Sequence, residues 1–425
     1  MRESFLHFVW QFQKFSTLEL KSATGSFVQV FSIGQYNTHA GPDFLNAKIL
    51  IDDIIWYGHV EIHLNSSDWD RHAHQNDPAY DNVILHVVWN HDQEVIRNNG
   101  EHVQVIELKS RIDSNLLDRC NELLNSPQRT PCEGLIHQVN RLDRISMVES
   151  TGVIRLEQKS LLILKRLEEN QGSWEETTYQ LLARNFGFKR NDDPFEKLSK
   201  AIPHKVLIKH SINLQELEAL LFGMAGFLSD QMSSVYAKEL IQSFRFLSKK
   251  YGIGDRALLK VEWKFLRMRP ANFPTVRLSQ FASFLHQNQK FFDTFIRFTK
   301  KEELIKMFLI KPSAYWQEHY DFGKKGRRKN TGMGRSSIDI ILINTVVPLL
   351  AAYAQHTMND SFMEKAVDLL QSLKAEKNHI ISDWAELGIK SKNAFDTQAL
   401  IQLHNEYCLK KRCLSCKIGM NLINR

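Results

Sequence analysis

Hydrophobic and polar positions change their spacing along this chain near residue 110. Before that point apolar residues alternate with polar ones or form short β-rich runs, which predicts strands at residues 27–33, 47–52, 54–64, 82–89 and 103–108. From about residue 140 onward the apolar residues recur at helical spacing. The pattern predicts an α+β chain, with its long strands early and a large all-α region after them.

The elements before residue 110 also have a predicted order. Phe5, Phe8, Val9, Phe12 and Phe15 recur at helical spacing and predict an amphipathic first helix. The polar segment 66–81 is predicted as a helix or an ordered loop, so the order is α-β-β-β-α-β-β. We therefore predict a domain at 1–110, a linker at 111–140 that contains three Pro and Gly positions, and a helical domain at 141–425.

The most apolar run of the chain, residues 338–354, is interrupted by Asp339, Asn344 and Pro348. A membrane span needs about 20 mostly apolar residues without charge. We therefore predict a buried core helix that ends or kinks near Pro348. The N-terminal apolar run contains Glu3 and Lys14 and lacks the pattern of a secretory signal. These features favour a cytoplasmic protein without a membrane partner.

Composition adds only a mild bias. The chain of 425 residues is 43% hydrophobic, which is ordinary for a globular protein, and its net charge is +7. That charge is compatible with nucleic acid as a partner but does not require it. Basic residues in two segments are candidate phosphate contacts, although solvated surfaces explain such runs as well. These candidates are Arg267, Arg269, Arg277, Arg327 and Arg328.

The candidate chemistry lies on the strand predicted at 54–64. Because side chains alternate between the two faces of a strand, Val60 and Ile62 should face the core, and Glu61 and His63 should share the opposite face. Asp43 enters the preceding strand. If those two strands pair as a hairpin, Asp43 returns beside Glu61, and two carboxylates converge.

Converging carboxylates are the ligands that Mg²⁺ or Mn²⁺ requires. A bound metal lowers the pKa of a water molecule, which can then attack a phosphodiester. In this interpretation Asp43 and Glu61 hold the metal, and His63 orients the water or contacts the phosphate. The alternative is that Asp43 caps a turn and that Glu61 and His63 lie on a solvated sheet face.

At these residues the sequence resembles the PD-(D/E)XK nuclease superfamily, whose signature is Pro-Asp followed on the next strand by Glu-X-Lys. Pro42-Asp43 and Glu61-Ile62-His63 match, with histidine in the lysine position. The resemblance implies a restriction-endonuclease-like α-β-β-β-α-β core and a metal-dependent nuclease. A neutral histidine stabilises phosphate charge less than lysine does, so the alternative is a catalytically inactive nuclease-fold protein that binds nucleic acid or acts as a scaffold.

Nucleases of that superfamily often place auxiliary site residues on the helix after the Glu-X-Lys strand. If 66–81 is helical, His74, Asp77 and Tyr80 share a face, whereas His72 and His74 do not. The local density of histidine, which includes His39 and His59, also admits a zinc site. A zinc-dependent hydrolase is therefore a further alternative.

Three of the five cysteines lie close together near the end of the sequence, at Cys408, Cys413 and Cys416. Zinc or an iron–sulfur cluster usually takes four ligands, and Cys132 is the candidate fourth, with Cys120 in reserve. The arrangement resembles nucleases of the RecB type, in which a distant cysteine and a C-terminal trio hold a 4Fe–4S cluster. The alternative is a basic tail with unliganded thiols.

The chain as a whole resembles an uncharacterised bacterial family of conserved-domain proteins. The resemblance is carried by AGPDFLNAKI, VEIHLNSSDW, YDNVILHVVW and RMRPANFPTVRLSQ, together with the CLKKRCLSCKIG tail. It covers nearly the whole length and implies relatedness without implying an activity.

Overall fold

The structure, a computed structural model, describes residues 2–327 and 332–425. It divides into two compact units, one formed by Met1–Val148 with Leu403–Arg425 and the other by Glu149–Gln402. This division differs from the predicted one because the C-terminal segment belongs to the unit that contains the sheet. Arg328, a candidate phosphate contact, lies outside the described residues.

The secondary structure matches the predicted α+β class. The strands are β1 Val28–Ser32, β2 Gln35–Tyr36, β3 Phe44–Ile51, β4 Ile54–Asn65, β5 Val83–Asn90, β6 Val105–Glu107, β7 His319–Asp321 and β8 Lys324–Lys325. The helices are α1 Glu3–Gln11, α2 Asp68–Arg71, α3 Ser114–Asn125, α4 Arg141–Glu169, α5 Trp174–Phe186, α6 Phe188–Ala201, α7 His204–Ile208, α8 Leu214–Met224, α9 Val235–Tyr251, α10 Pro274–Gln287, α11 Phe291–Arg297, α12 Lys301–Phe308, α13 Ala314–Glu318, α14 Arg335–Ile341, α15 Val347–Thr357, α16 Ser361–Ser372, α17 His379–Glu386, α18 Ala394–Gln402 and α19 Lys417–Ile423.

The first unit is built on a mixed sheet of six strands in the order β1-β3-β4-β5-β6, with β2 also paired to β3. β1, β2 and β4 run antiparallel to the strand they pair with, β3. The β4–β5 and β5–β6 pairs are parallel. β5 lies between two parallel neighbours and is buried on both faces over most of its length, which explains why its sequence is a nearly continuous apolar run.

The predicted amphipathic first helix is confirmed as α1. Phe5, Phe8 and Trp10 are buried in the first unit, and the Trp10 indole N–H donates to the Ile33 carbonyl at 3.2 Å. The helix ends at Gln11, so the predicted apolar stripe is cut short and Phe12 is 40% exposed. The strand β2 was not predicted from the sequence, because it is only two residues long.

The β3–β4 hairpin, which the site hypothesis required, is confirmed. Ile51 pairs with Ile54 across the turn, and Ala47 pairs with Gly58. The register then shifts by one residue, so that Phe44 pairs with Val60. The extra residue of this β-bulge lies in β3 at Asn46, whose backbone adopts the left-handed conformation with a φ of 57°. The bulge matters because a shift of one residue exchanges the faces to which side chains point. It brings Asp43 opposite Glu61.

The backbone of this bulge provides a stability prediction. A β-branched residue is disfavoured at positive φ, so Asn46→Val should lower the free energy of unfolding by about 1–2 kcal/mol, whereas Asn46→Gly should change it little. Chemical denaturation of the full chain measures both. Gln29→Val, at an exposed position of β1, is the control for the substitution itself. If Gln29→Val lowered the free energy of unfolding as much as Asn46→Val does, the effect of Asn46→Val could not be attributed to backbone strain at residue 46.

The segment 66–81 is not one helix. α2 stops after a single turn, Ala73 adopts a left-handed φ of 58°, and two 3-10 turns follow at His74–Asn76 and Pro78–Tyr80. A left-handed residue cannot continue a right-handed helix. The segment is therefore an ordered series of short turns, and its residues do not share the faces that they would share on a continuous helix.

The second unit is essentially helical, as predicted, and the only sheet among its described residues is the two-stranded β7–β8 hairpin. The stretch Arg335–Thr357 is long and apolar enough to cross a membrane by composition, but 78% of its most apolar window is buried inside the protein. The prediction of a buried core helix is therefore confirmed. A π-helical turn, Leu342–Val346, precedes Pro348, and the Asn344 carbonyl accepts from the Asn185 amide at 3.0 Å.

Candidate metal centre

Two carboxylates form the centre of a polar cluster in the first unit. The backbone N–H of Asp43 donates to Glu61 Oε2 at 3.1 Å, and the N–H of Ile62 donates to Asp43 Oδ2 at 3.0 Å. Each carboxylate is thus held by a backbone group on the neighbouring strand. The structure brings the two residues of the predicted pair together, with Asp43 immediately before β3 and Glu61 on β4.

Three imidazoles converge beside Glu61. His63 Nε2 and His74 Nε2 each lie 3.4 Å from Glu61 Oε1. His72 Nδ1 lies 3.1 Å from His63 Nε2. Ligand atoms of the three histidines all lie within 4.8 Å of one another, a spacing at which one metal ion could bind all three.

His72 enters this cluster because the segment 66–81 is not a continuous helix. On a helix, residues two apart would point to different sides. The left-handed turn at Ala73 instead leaves the His72 and His74 rings 5.5 Å apart. The expectation that these two histidines do not share a face holds only for a continuous helix, and this local break is the physical reason why it does not apply here.

His86 on β5 lies behind the cluster and was not predicted. Its Nε2 shares a hydrogen bond of 2.9 Å with His63 Nδ1, and its side chain is completely buried. The signal in the sequence was one histidine within the apolar run VILHVVW. A hydrogen bond at the second ring nitrogen fixes the orientation of a metal-binding histidine, and His86 would serve in this way for His63.

The protonation of these imidazoles favours a cation between them. Burial lowers the pKa of His63 to about 2, with smaller contributions from His86 and its other histidine neighbours, and burial lowers the pKa of His86 to about 3. Neutral His63 has a single N–H, yet both of its ring nitrogens lie against other imidazoles. His74 Nε2 is buried and meets no hydrogen-bond partner in the described part of the chain. Each neutral imidazole has one nitrogen lone pair that a metal ion could bind, and the tautomer decides which nitrogen carries it.

A second group adjoins the first. Glu3 and His7, four residues apart on α1, share a face that meets Asp43, and His7 Nε2 lies 3.4 Å from Asp43 Oδ2. Ligand atoms of Glu3, His7 and Asp43 all lie within 4.8 Å of one another. Neither Glu3 nor His7 was predicted, although their spacing of four on an amphipathic helix was a usable signal.

Burial opposes the ionisation of the acidic residues in this cluster. It raises the pKa of Asp43, and repulsion from Glu61 raises it further, against the opposing hydrogen bond from Ile62. Burial also raises the pKa of Glu61, although the hydrogen bond from Asp43 opposes the shift. Adjacent carboxylates in such surroundings repel each other, and a bound cation would relieve that repulsion.

The auxiliary residues have separate locations. Tyr80 is buried, and its ring stacks on His74 with the ring centres 3.8 Å apart. Asp77 is exposed and caps the second 3-10 turn by accepting from the Ala79 N–H at 2.9 Å. His59 accepts from the Asn46 N–H of the bulge at 3.2 Å, and His39 is exposed in a loop. The predicted face of His74, Asp77 and Tyr80 therefore does not form.

The candidate phosphate contacts lie in the second unit and differ in exposure. Arg267, Arg269 and Arg327 are exposed. Arg277 is buried, where it donates to Gln280 at 2.9 Å and to Asn272 at 2.7 Å. A guanidinium enclosed in this way does not present its charge to a nucleic-acid backbone, so its role is in packing.

The fold and this cluster define an α+β protein with a candidate metal centre of mixed carboxylate and imidazole donors. A family model described as "Protein of unknown function (DUF2851)" matches residues 3–379, and the chain belongs to that family. The match covers the sheet and most of the helical unit. No curated protein and no solved structure matches the chain.

Proposed function

We propose that the chain is a metal-dependent phosphodiester hydrolase, a nuclease that acts on DNA or RNA. The observation that carries the proposal is the cross-strand pair of Asp43 and Glu61, with His63 beside it on the same strand. Pro42-Asp43 immediately precedes β3, and Glu61-Ile62-His63 lies on the paired strand β4 of the mixed sheet. This placement supports the PD-(D/E)XK resemblance on which the proposal draws. The net charge of +7 is compatible with a polyanionic substrate.

In this proposal Asp43 and Glu61 hold the metal through their carboxylate oxygens. His63, His72 and His74 form one group of donors beside Glu61, and Glu3 and His7 form a separate group with Asp43 that would serve a second ion. A metal in such a site supplies a nucleophile at neutral pH and stabilises charge on the leaving oxygen. Tyr80 fixes the plane of His74 by stacking on it.

The donor set bears on which metal is bound. Mg²⁺ prefers oxygen ligands and keeps several waters, whereas imidazole suits Mn²⁺ less than it suits Fe²⁺ or Zn²⁺. The three converging histidines therefore favour a transition metal over Mg²⁺. The same observation supports a second candidate function, a zinc-dependent hydrolase whose substrate is not a nucleic acid.

The decisive experiment incubates the purified full chain with single-stranded DNA, double-stranded DNA and RNA, each in the presence of Mg²⁺, Mn²⁺ or Zn²⁺. We expect cleavage that requires metal, is strongest with a transition metal and is abolished by Asp43→Ala. Asp53→Ala, in the exposed turn of the same hairpin, is the matched control and should retain cleavage.

Cleavage that is equal in Asp43→Ala and the wild type would reject the proposal, because the activity would then come from elsewhere. Stoichiometric zinc, with hydrolysis of simple esters and no cleavage of nucleic acid, would select the zinc hydrolase. Nucleic-acid binding without cleavage under any metal would select a binding protein that has lost activity.

A further inference from the structure

The outer end of the β3–β4 hairpin leaves one face of the sheet open to solvent. β4 runs regularly through Ile54–Asn65, because the extra residues at its two register shifts lie in β3 and β5. Its odd-numbered residues therefore share one face. Along that face the exposed fraction of the side chains falls from 67% at Tyr57 to 5% at Glu61. The open end of this face is thus continuous with the candidate metal centre.

Two aromatic rings and one ammonium group occupy the open end. Lys48 on β3 pairs with Tyr57, and directly opposed residues of a strand pair point to the same side of the sheet. The Lys48 ammonium lies 5.4 Å from the centre of the Tyr57 ring and 5.5 Å from the centre of the Phe31 ring on β1. Phe31 is 49% exposed. Three neighbouring strands therefore present a ring, a cation and a second ring side by side.

The remaining side chains of this surface are uncharged. Leu50 pairs with Ile55 on β4 and with Gln29 on β1, in the row next to Lys48, and both partners are exposed. We call six residues the hairpin face: Gln29, Phe31, Lys48, Leu50, Ile55 and Tyr57. The hairpin face contains one cation and no carboxylate. It is therefore complementary to a ligand that combines flat apolar rings with negative charge.

Nucleic acid is such a ligand when its bases are unpaired. In a duplex the bases stack on one another, whereas the bases of a single strand can stack on exposed aromatic side chains. A lysine between two such rings can meet the phosphate that links the stacked nucleotides. The hairpin face therefore favours a single strand over a duplex.

His59 lies between the hairpin face and the metal centre. It is half-buried and shares the face of β4 that carries Tyr57 and Glu61. Its Nδ1 accepts from the Asn46 N–H at 3.2 Å, so the neutral ring carries its proton on Nε2 and can donate from there to a phosphate oxygen. At the usual rise of a strand, Tyr57 and Glu61 are about 13 Å apart. A strand of nucleic acid on the hairpin face would therefore continue past His59 towards the carboxylates.

We propose that the hairpin face binds single-stranded nucleic acid and directs the strand to the candidate metal centre. The inference rests on the proposed nuclease function, because it names the form of nucleic acid that this site receives. Bases stack on Phe31 and Tyr57, Lys48 binds the phosphate between them, and His59 contacts the backbone further along. Stacking on aromatic rings tolerates every base, so we expect little sequence preference.

The test measures binding of a labelled oligothymidine of about 12 nucleotides to the full chain by fluorescence anisotropy, with a chelator present to prevent cleavage. We expect Tyr57→Ala and Phe31→Ala each to weaken binding by about 5–100-fold, the usual cost of losing one base-stacking ring. Tyr57→Phe keeps the ring and should keep the affinity. Lys48→Gln keeps both rings and should weaken binding while reducing its dependence on salt concentration.

Trp56→Ala is the matched control, because Trp56 is a 45% exposed aromatic residue on the opposite face of the same strand. We expect this variant to bind like the wild type, and we expect a duplex to bind more weakly than the single strand. Equal losses in Trp56→Ala and Tyr57→Ala, equal affinity for duplex and single strand, or no binding by the folded wild type would overturn the proposal. A dimer that Tyr57→Ala dissociates, without any binding of nucleic acid, would overturn it in favour of a second copy of the chain.

Asp43→Ala separates this inference from the nuclease proposal. The variant should lose cleavage and keep the wild-type affinity in chelator, because Asp43 is not part of the hairpin face. Binding that depends on Tyr57, without metal-dependent cleavage by the wild type, would reject the nuclease proposal alone. Metal-dependent cleavage with unchanged binding in Tyr57→Ala and Phe31→Ala would reject the hairpin face alone.

Discussion

Glu61→Gln should have opposite effects on metal binding and on the stability of the metal-free protein. We expect the metal affinity, measured by calorimetry, to fall by more than about 100-fold. Loss of a residue that only hydrogen-bonds to a metal ligand typically costs about 10–100-fold, and Glu61 is proposed to bind the metal directly. We also expect the free energy of unfolding without metal to rise by about 1 kcal/mol, because the variant removes one of two buried carboxylates that repel each other. The amide oxygen can still accept the Asp43 N–H.

Denaturation of the chelated protein measures the second effect, with Asp53→Asn in the exposed turn as the control. If Glu61 served the fold alone, the metal-free variant would be no more stable than the wild type, and added metal would stabilise both proteins to the same extent. That outcome would remove Glu61 from the candidate site.

His86→Leu should weaken metal binding although His86 is not itself a proposed ligand. The substitution removes the hydrogen bond at His63 Nδ1 that sets the tautomer and orientation of the ring. We expect affinity to fall by about 10–100-fold, the usual cost of losing such a partner. His86→Gln, whose amide can bond to the same nitrogen, should recover part of the affinity.

Metal titration by calorimetry on folded samples separates this positioning role from general packing. His102→Leu, at an exposed histidine of the same unit, is the control for loss of an imidazole. Equal losses in His86→Leu and His86→Gln would indicate that the bond to His63 does not orient the ligand.

The fold was predictable where a periodic pattern extends over several residues. The strands of the β3–β4 hairpin, the first helix and the buried run that contains Pro348 could all be identified from spacing and composition. The two-residue strand β2 and the bulge at Asn46 could not, because each depends on one or two residues whose conformation the tertiary structure decides.

The central residues of the candidate site could be predicted from the sequence, whereas most of the histidines around them could not. Asp43, Glu61 and His63 follow from strand alternation and hairpin pairing, although the pairing succeeds only because the bulge at Asn46 moves Asp43 onto the right face. His72 was not included in the predicted site, because on a continuous helix it would not share a face with His74, and the left-handed Ala73 breaks that helix. His7 lies on α1 and His86 on β5, and only the packing of these elements in the folded protein brings the two residues to the cluster.

The discontinuous sheet unit has a consequence for biosynthesis. Its C-terminal part, Leu403–Arg425, leaves the ribosome only after the whole of Glu149–Gln402 has been made. The N-terminal strands and α1 are therefore synthesised before this part of their own unit, and the helical unit is synthesised in between. During synthesis the sheet unit thus lacks Leu403–Arg425 until the helical unit has been made, and we expect it to complete its fold only after this segment has been translated.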